Sequence, residues 1–100
     1  MRFSEARSYC CDKNGSYGYG KSGGMSCEGV ALERIARRTG TPVYVYSAAS
    51  VLGRYRELDA AFAGRERLLC YALKANPNGA LCRLLAREGA GADVVSGGEL

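Results

Sequence analysis

The sequence predicts an α/β fold, and three observations carry that prediction. Two apolar runs, TPVYVYS at 41–47 and LLCYAL at 68–73, read as strands, as does the shorter ADVVS at 92–96. The segments between them place apolar residues at helical spacing. Short turns rich in Gly and Pro join the pieces, and strand, helix, strand, helix, strand in that order gives βαβ units and a parallel sheet.

Residues 1–26 are rich in Gly, Ser, Tyr and Lys, sustain neither periodicity, and read as an irregular leader. From Glu28 the pattern changes. Ala31, Leu32, Ile35 and Ala36 predict a helix of about three turns that Gly40 caps and Pro42 stops. In TPVYVYS, Val43 and Val45 alternate with Tyr44 and Tyr46 as in a strand. Ser47 or Ser50 can cap the second helix, whose stripe of Val51, Tyr55, Leu58 and Phe62 faces a core until Gly64 ends it. LLCYAL is too short for a helix and has the composition of a strand buried on both faces. Asn76 and Pro77 offer an N-cap and first position for a third helix carrying Ala80, Leu81, Leu84 and Leu85, which stops at Gly89. The domain organisation expected is a leader at 1–26, a helix and strand at 27–47, and the first β/α units at 48–100.

The bulk numbers exclude several function classes. At 47% hydrophobic and 24% charged the chain has ordinary globular composition, and a net charge of +4 is too small and too scattered to mark a nucleic-acid surface. Arg34, Arg37 and Arg38 read as a solvated helix face. The five cysteines, at 10, 11, 27, 70 and 82, form no C-x-x-C pair, and with no histidine present a structural zinc is not expected. Cys70 and Cys82 sit among apolar residues as free thiols do in a reducing compartment, so a cytoplasmic location is expected. The start, MRFSEARSY, lacks the apolar core of a signal peptide, and no apolar run approaches the roughly 20 residues that span a bilayer. GSYGYGKS at 15–22 fits the expression for a phosphate-binding loop, but no convincing strand precedes it and GGMSCEG follows where a helix should start, so no nucleotide site is expected.

The chemistry is expected at Lys74, where LLCYAL gives way to a turn. Active-site groups collect at the C-terminal ends of parallel strands, and a partly desolvated lysine there becomes a nucleophile toward aldehydes. Position alone also admits a lysine that snorkels to solvent.

Four separated stretches resemble the diaminopimelate decarboxylases, of the alanine-racemase-like group of pyridoxal-phosphate enzymes: CEGVALERIA at 27–36, GTPVYVYS at 40–47, YALKANPN at 71–78 and GADVVSGGEL at 91–100. Ornithine and arginine decarboxylases share the lysine motif, but GTPVYVYS together with SGGEL is more similar to the diaminopimelate branch. The resemblance implies that the chain is the N-terminal part of a (β/α)8 TIM barrel, ending after about two barrel strands. It implies that Lys74 binds pyridoxal 5'-phosphate covalently, that Asp93 and Glu99 belong to the cofactor pocket, and that Ala72 and Asn76 shape it. The activity implied is decarboxylation of meso-2,6-diaminopimelate to L-lysine, the last step of lysine biosynthesis, by a homodimer.

The resemblance also implies that residues holding the cofactor phosphate, the pyridine nitrogen and the substrate's distal carboxylate follow Leu100, so the 100 residues alone are expected to be inactive and poorly stable. Two other classes stand beside this one: a non-catalytic cofactor-binding relative of the same barrel group, which lacks GTPVYVYS, and a stand-alone interaction domain.

Overall fold

A computed structural model describes residues 17–19 and 23–99. Cys10, Cys11, Gly15, Gly20, Lys21, Ser22 and Leu100 lie outside them. The chain divides between Val51 and Leu52 into two compact units.

The first unit holds a three-stranded antiparallel sheet of β1 (Tyr17–Tyr19), β2 (Met25–Cys27) and β3 (Val30–Ala31), in that order. Two expectations are corrected here. The described part of the leader is strand, with Tyr17 opposite Cys27 and Tyr19 opposite Met25, and the Ser26 hydroxyl donates to the Gly18 carbonyl at 3.2 Å. The signal was missed because each strand is too short to show a period. The first helix, α1 (Leu32–Thr39), has 8 residues and is shorter than the three turns expected. Glu28 and Gly29 take φ of 49° and 79° and join β2 to β3 as a two-residue hairpin turn, a backbone that no right-handed helix can contain.

Gly40 follows α1 with φ 83°, as expected of a terminating glycine. TPVYVYS is not a strand: among the described residues nothing pairs with 43–46, and the Val45 carbonyl instead accepts the Tyr17 hydroxyl at 2.8 Å. Its alternation describes side chains, whereas a strand also needs a ladder partner. The Thr41–Pro42 peptide bond is cis.

Helix α2 (Ala48–Ala61) begins at a well-built cap. Of the two candidate serines, Ser47 is the cap: its hydroxyl accepts the Ser50 N–H at 2.9 Å and donates to Glu28 Oε1 at 2.7 Å. The same Glu28 oxygen accepts the Ala49 N–H at 2.9 Å, so a carboxylate sits at the positive end of the helix. The apolar stripe is less covered than expected, since no residue of α2 is buried and Leu58 and Phe62 are each about half exposed.

The second unit is a βαβ arrangement. β4 (Cys70–Ala72) and β5 (Gly91–Asp93) pair in parallel, with Cys70, Tyr71 and Ala72 opposite Gly91, Ala92 and Asp93. Between them lie a 3₁₀ turn (Leu73–Ala75) and α3 (Gly79–Arg87). β4 is shorter than LLCYAL suggested and is not buried on both faces; Leu68 is 69% exposed. Its packing is one-sided because Leu85 of α3 is the buried apolar residue on this sheet's helix side.

The α3 cap is Asn78 in place of Asn76. Its side chain accepts the Ala80 N–H at 2.9 Å, leaving Pro77 outside the helix. At the other end the Gly89 N–H bonds the Ala86 carbonyl and the Ala90 N–H the Leu85 carbonyl, with Gly89 at φ 93°, a Schellman termination. Arg56 forms a fork on Glu88, both bonds 2.7 Å, and Arg67 one on Asp59. The hydrogen bond from Arg56 holds the Glu88 carboxyl below the usual carboxylate range and raises the Arg56 guanidinium in return.

Candidate active site

The parallel register decides which side chains share a face. Residues alternate along a strand, so Cys70 and Ala72 of β4 lie on one face with Gly91 and Asp93 of β5, and Tyr71 lies on the other, toward α3. Asp93 is at the C-terminal end of β5, directly opposite Ala72. Lys74 follows two residues after Ala72, in the 3₁₀ turn that leaves the same end of β4. The fold therefore brings Lys74, Ala72 and Asp93 to one end of a parallel strand pair, the end where such folds gather reactive groups.

Lys74 and Asp93 are both exposed, so the partial desolvation expected at Lys74 is not what the described residues provide. Neither side chain forms an ion pair or hydrogen bond among the described residues. A primary amine and a carboxylate thus stand uncommitted at one strand end. At the other end of the same face the space over Gly91 is filled: a Cβ placed there would lie 2.8 Å from Cys70 Sγ.

Glu99 is engaged differently. Its Oε2 accepts the Val95 N–H at 2.8 Å, and its own N–H donates to the Ser96 carbonyl at 3.1 Å, closing the turn SGGE. This matches a carboxylate that caps the start of a turn. Asn76 contributes its backbone and side chain: the Tyr71 hydroxyl donates to its carbonyl at 3.2 Å, and its Oδ1 accepts the Asn78 N–H at 3.1 Å.

Sequence reasoning missed Tyr71 and Asn78. Asn78 before Gly79-Ala80-Leu81 carried an equal capping signal, masked by the stronger Asn76-Pro77 pair. Of the loop-like match at 15–22, the described residues Tyr17–Tyr19 are a strand, where a phosphate cradle needs a turn. Among the described residues no cluster of three His, Cys, Asp or Glu could hold a metal ion, and no helix is long and apolar enough to cross a membrane.

The family model for the pyridoxal binding domain of pyridoxal-dependent decarboxylases matches residues 48–100. The chain belongs to this family. It is 51% identical over 80 residues to a diaminopimelate decarboxylase of Pseudomonas fluorescens, covering 80% of this chain and 19% of that protein. Against the diaminopimelate decarboxylase of Pseudomonas aeruginosa identity is 56% over 76 residues, with 76% and 18% covered.

Among solved structures, the diaminopimelate decarboxylase of M. jannaschii in co-complex with L-lysine superposes with a TM-score of 0.77 at 40% identity, over 86% of this chain and 21% of the other. A protein of Aquifex aeolicus superposes with a TM-score of 0.78 at 45% identity. The chain thus spans about a fifth of the length of the curated relatives it matches. The decarboxylase-family fold is the N-terminal part of the pyridoxal-binding barrel, in which β4 and β5 are adjacent parallel strands.

A pyridoxal-binding fold needs a primary amine that can condense with an aldehyde, placed at a strand end and not tied up in an ion pair. Lys74 meets each requirement, so the residues of this decarboxylase-family chain fit the cofactor its family binds.

Proposed function

We propose that this chain supplies the cofactor lysine of an enzyme that decarboxylates meso-2,6-diaminopimelate to L-lysine. The observation that carries the proposal is Lys74, uncommitted at the C-terminal end of β4 and at the same sheet end as Asp93. Relatives up to 56% identical, named diaminopimelate decarboxylases, support the choice of substrate.

When bound, pyridoxal phosphate supplies an electron sink for the pair left as carbon dioxide departs. Lys74 would hold it covalently through Nζ. Asp93, acceptor-only when ionised, would favour a proton on Nζ when that amine is released. Ala72, opposite Asp93, would add only a methyl group to that face, and Glu99 orders the turn after β5. Residues 27–47 would lead into the barrel and 48–100 form its first units. A cytoplasmic homodimer acting on a small amino acid completes the reading; the free thiols of Cys27, Cys70 and Cys82 agree with a reducing compartment.

Borohydride reduction of the full-length protein loaded with pyridoxal phosphate, followed by peptide mapping, tests the lysine. An adduct on Lys74 that disappears in Lys74→Ala is expected, and an adduct elsewhere refutes the assignment. Carbon dioxide released from meso-diaminopimelate, and not from ornithine or arginine, tests the substrate.

A further inference from the structure

Lys74 is carried by a turn of three residues, and the backbone of such a turn has few hydrogen bonds of its own. What holds it in place is a bracket built from the residues around it. On the near side, β4 is fixed by its ladder to β5. On the far side, Asn76 Oδ1 accepts the Asn78 N–H at 3.1 Å, Asn78 Oδ1 accepts the Ala80 N–H at 2.9 Å, and the Asn78 carbonyl accepts the Cys82 N–H at 3.1 Å, which ties the end of the turn to the first turn of α3.

One bond spans the two sides. The Tyr71 hydroxyl donates to the Asn76 carbonyl at 3.2 Å, across five residues with Lys74 inside the loop it closes. The Tyr71 ring can hold this bond because it is half-buried on the α3 side of the sheet, lining an open apolar groove of about 250 Å³ with Leu73, Cys82 and Leu85. We infer that Tyr71 is a positioning residue for Lys74: its hydroxyl pins the Asn76 carbonyl and so fixes the turn that presents Nζ at the strand end. The inference rests on Lys74 being the cofactor lysine. It adds that a side chain on the opposite face of β4 controls how well that lysine is held.

The experiment uses the full-length protein with Tyr71→Phe, which removes the donor and keeps the ring in the groove. Hydrogen exchange of the apoprotein over residues 72–78 is expected to quicken about three- to tenfold, the factor a net neutral hydrogen bond is worth. The loaded enzyme is expected to lose kcat by a similar factor at an unchanged KM, with the thermal transition close to wild type. Should Tyr71→Phe fail to fold, 3,5-difluorotyrosine at position 71 preserves the hydroxyl but ionises at lower pH. The kcat profile should then gain a descending alkaline limb as the donor proton is lost. Wild-type exchange over 72–78 together with wild-type kcat in Tyr71→Phe overturns the inference, as does an unaltered pH profile for the fluorinated protein. If borohydride mapping of the unmodified enzyme places the adduct elsewhere, the lysine assignment falls instead, while the exchange data still judge the clamp.

Discussion

Replacing Ser47 with Ala should free the start of α2. Ser47 is 2% exposed, its hydroxyl caps the Ser50 N–H, and it donates to Glu28. Loss of an N-cap costs about 1 kcal/mol. A hydrogen bond to an ionised acceptor is worth about 1.5–3 kcal/mol, but Glu28 is exposed, so water restores much of it on removal. The sum is about 1.5–2.5 kcal/mol, equivalent to roughly ten- to seventyfold in a local opening constant. Peptide-resolved hydrogen exchange over residues 47–55 of the full-length protein reads this directly, because local opening of a helix end governs exchange there. Ser50→Ala is the control: Ser50 contributes its backbone N–H to the cap, so its hydroxyl should be dispensable. Equal acceleration in the two variants, or none in Ser47→Ala, would refute the capping argument.

Three further outcomes are expected. Glu88 has its pKa lowered by the hydrogen bond from Arg56, so the stabilisation it gives is full above the usual carboxylate range and is lost as pH falls through the depressed value; Glu88→Gln should flatten that acid-side loss in an unfolding titration. Gly91→Ala drives a Cβ to 2.8 Å from Cys70 Sγ and 3.3 Å from Leu68 Cδ2, which should cost about 1–3 kcal/mol of stability in denaturant, recovered in part by adding Cys70→Ala. A polypeptide of these 100 residues alone leaves Tyr44 88%, Leu68 69% and Val95 66% exposed, and should bind a hydrophobic dye and lack a sharp thermal transition; a cooperative, high-temperature melt would contradict this.

The strand leading to Lys74 and the helices on either side were legible because each has a local cause. LLCYAL is apolar, Gly64 and Gly89 take the positive φ their positions suggested, and Ser47 was one of two serines named for the α2 cap. The hairpin at 25–31 was not legible. Its turn is Glu-Gly in place of the stronger Asn-Gly signal, and helical spacing from Ala31 onward extended the apparent helix backward over it. TPVYVYS shows the opposite error: β propensity was present, but pairing depends on a second segment that propensity cannot supply.

Sequence by itself determined the α/β class, the family signature and the placement of a lysine just past an apolar strand, since these depend on residue type and spacing along the chain. Tertiary structure alone decided that Ala72 lies opposite Asp93, that Glu28 reaches the α2 cap, and that Tyr71 spans the loop bearing Lys74. Each of these is a hydrogen bond or register between groups separated along the chain. Many partners at such distances satisfy the same donors and acceptors in one dimension, and only the packed backbone selects among them.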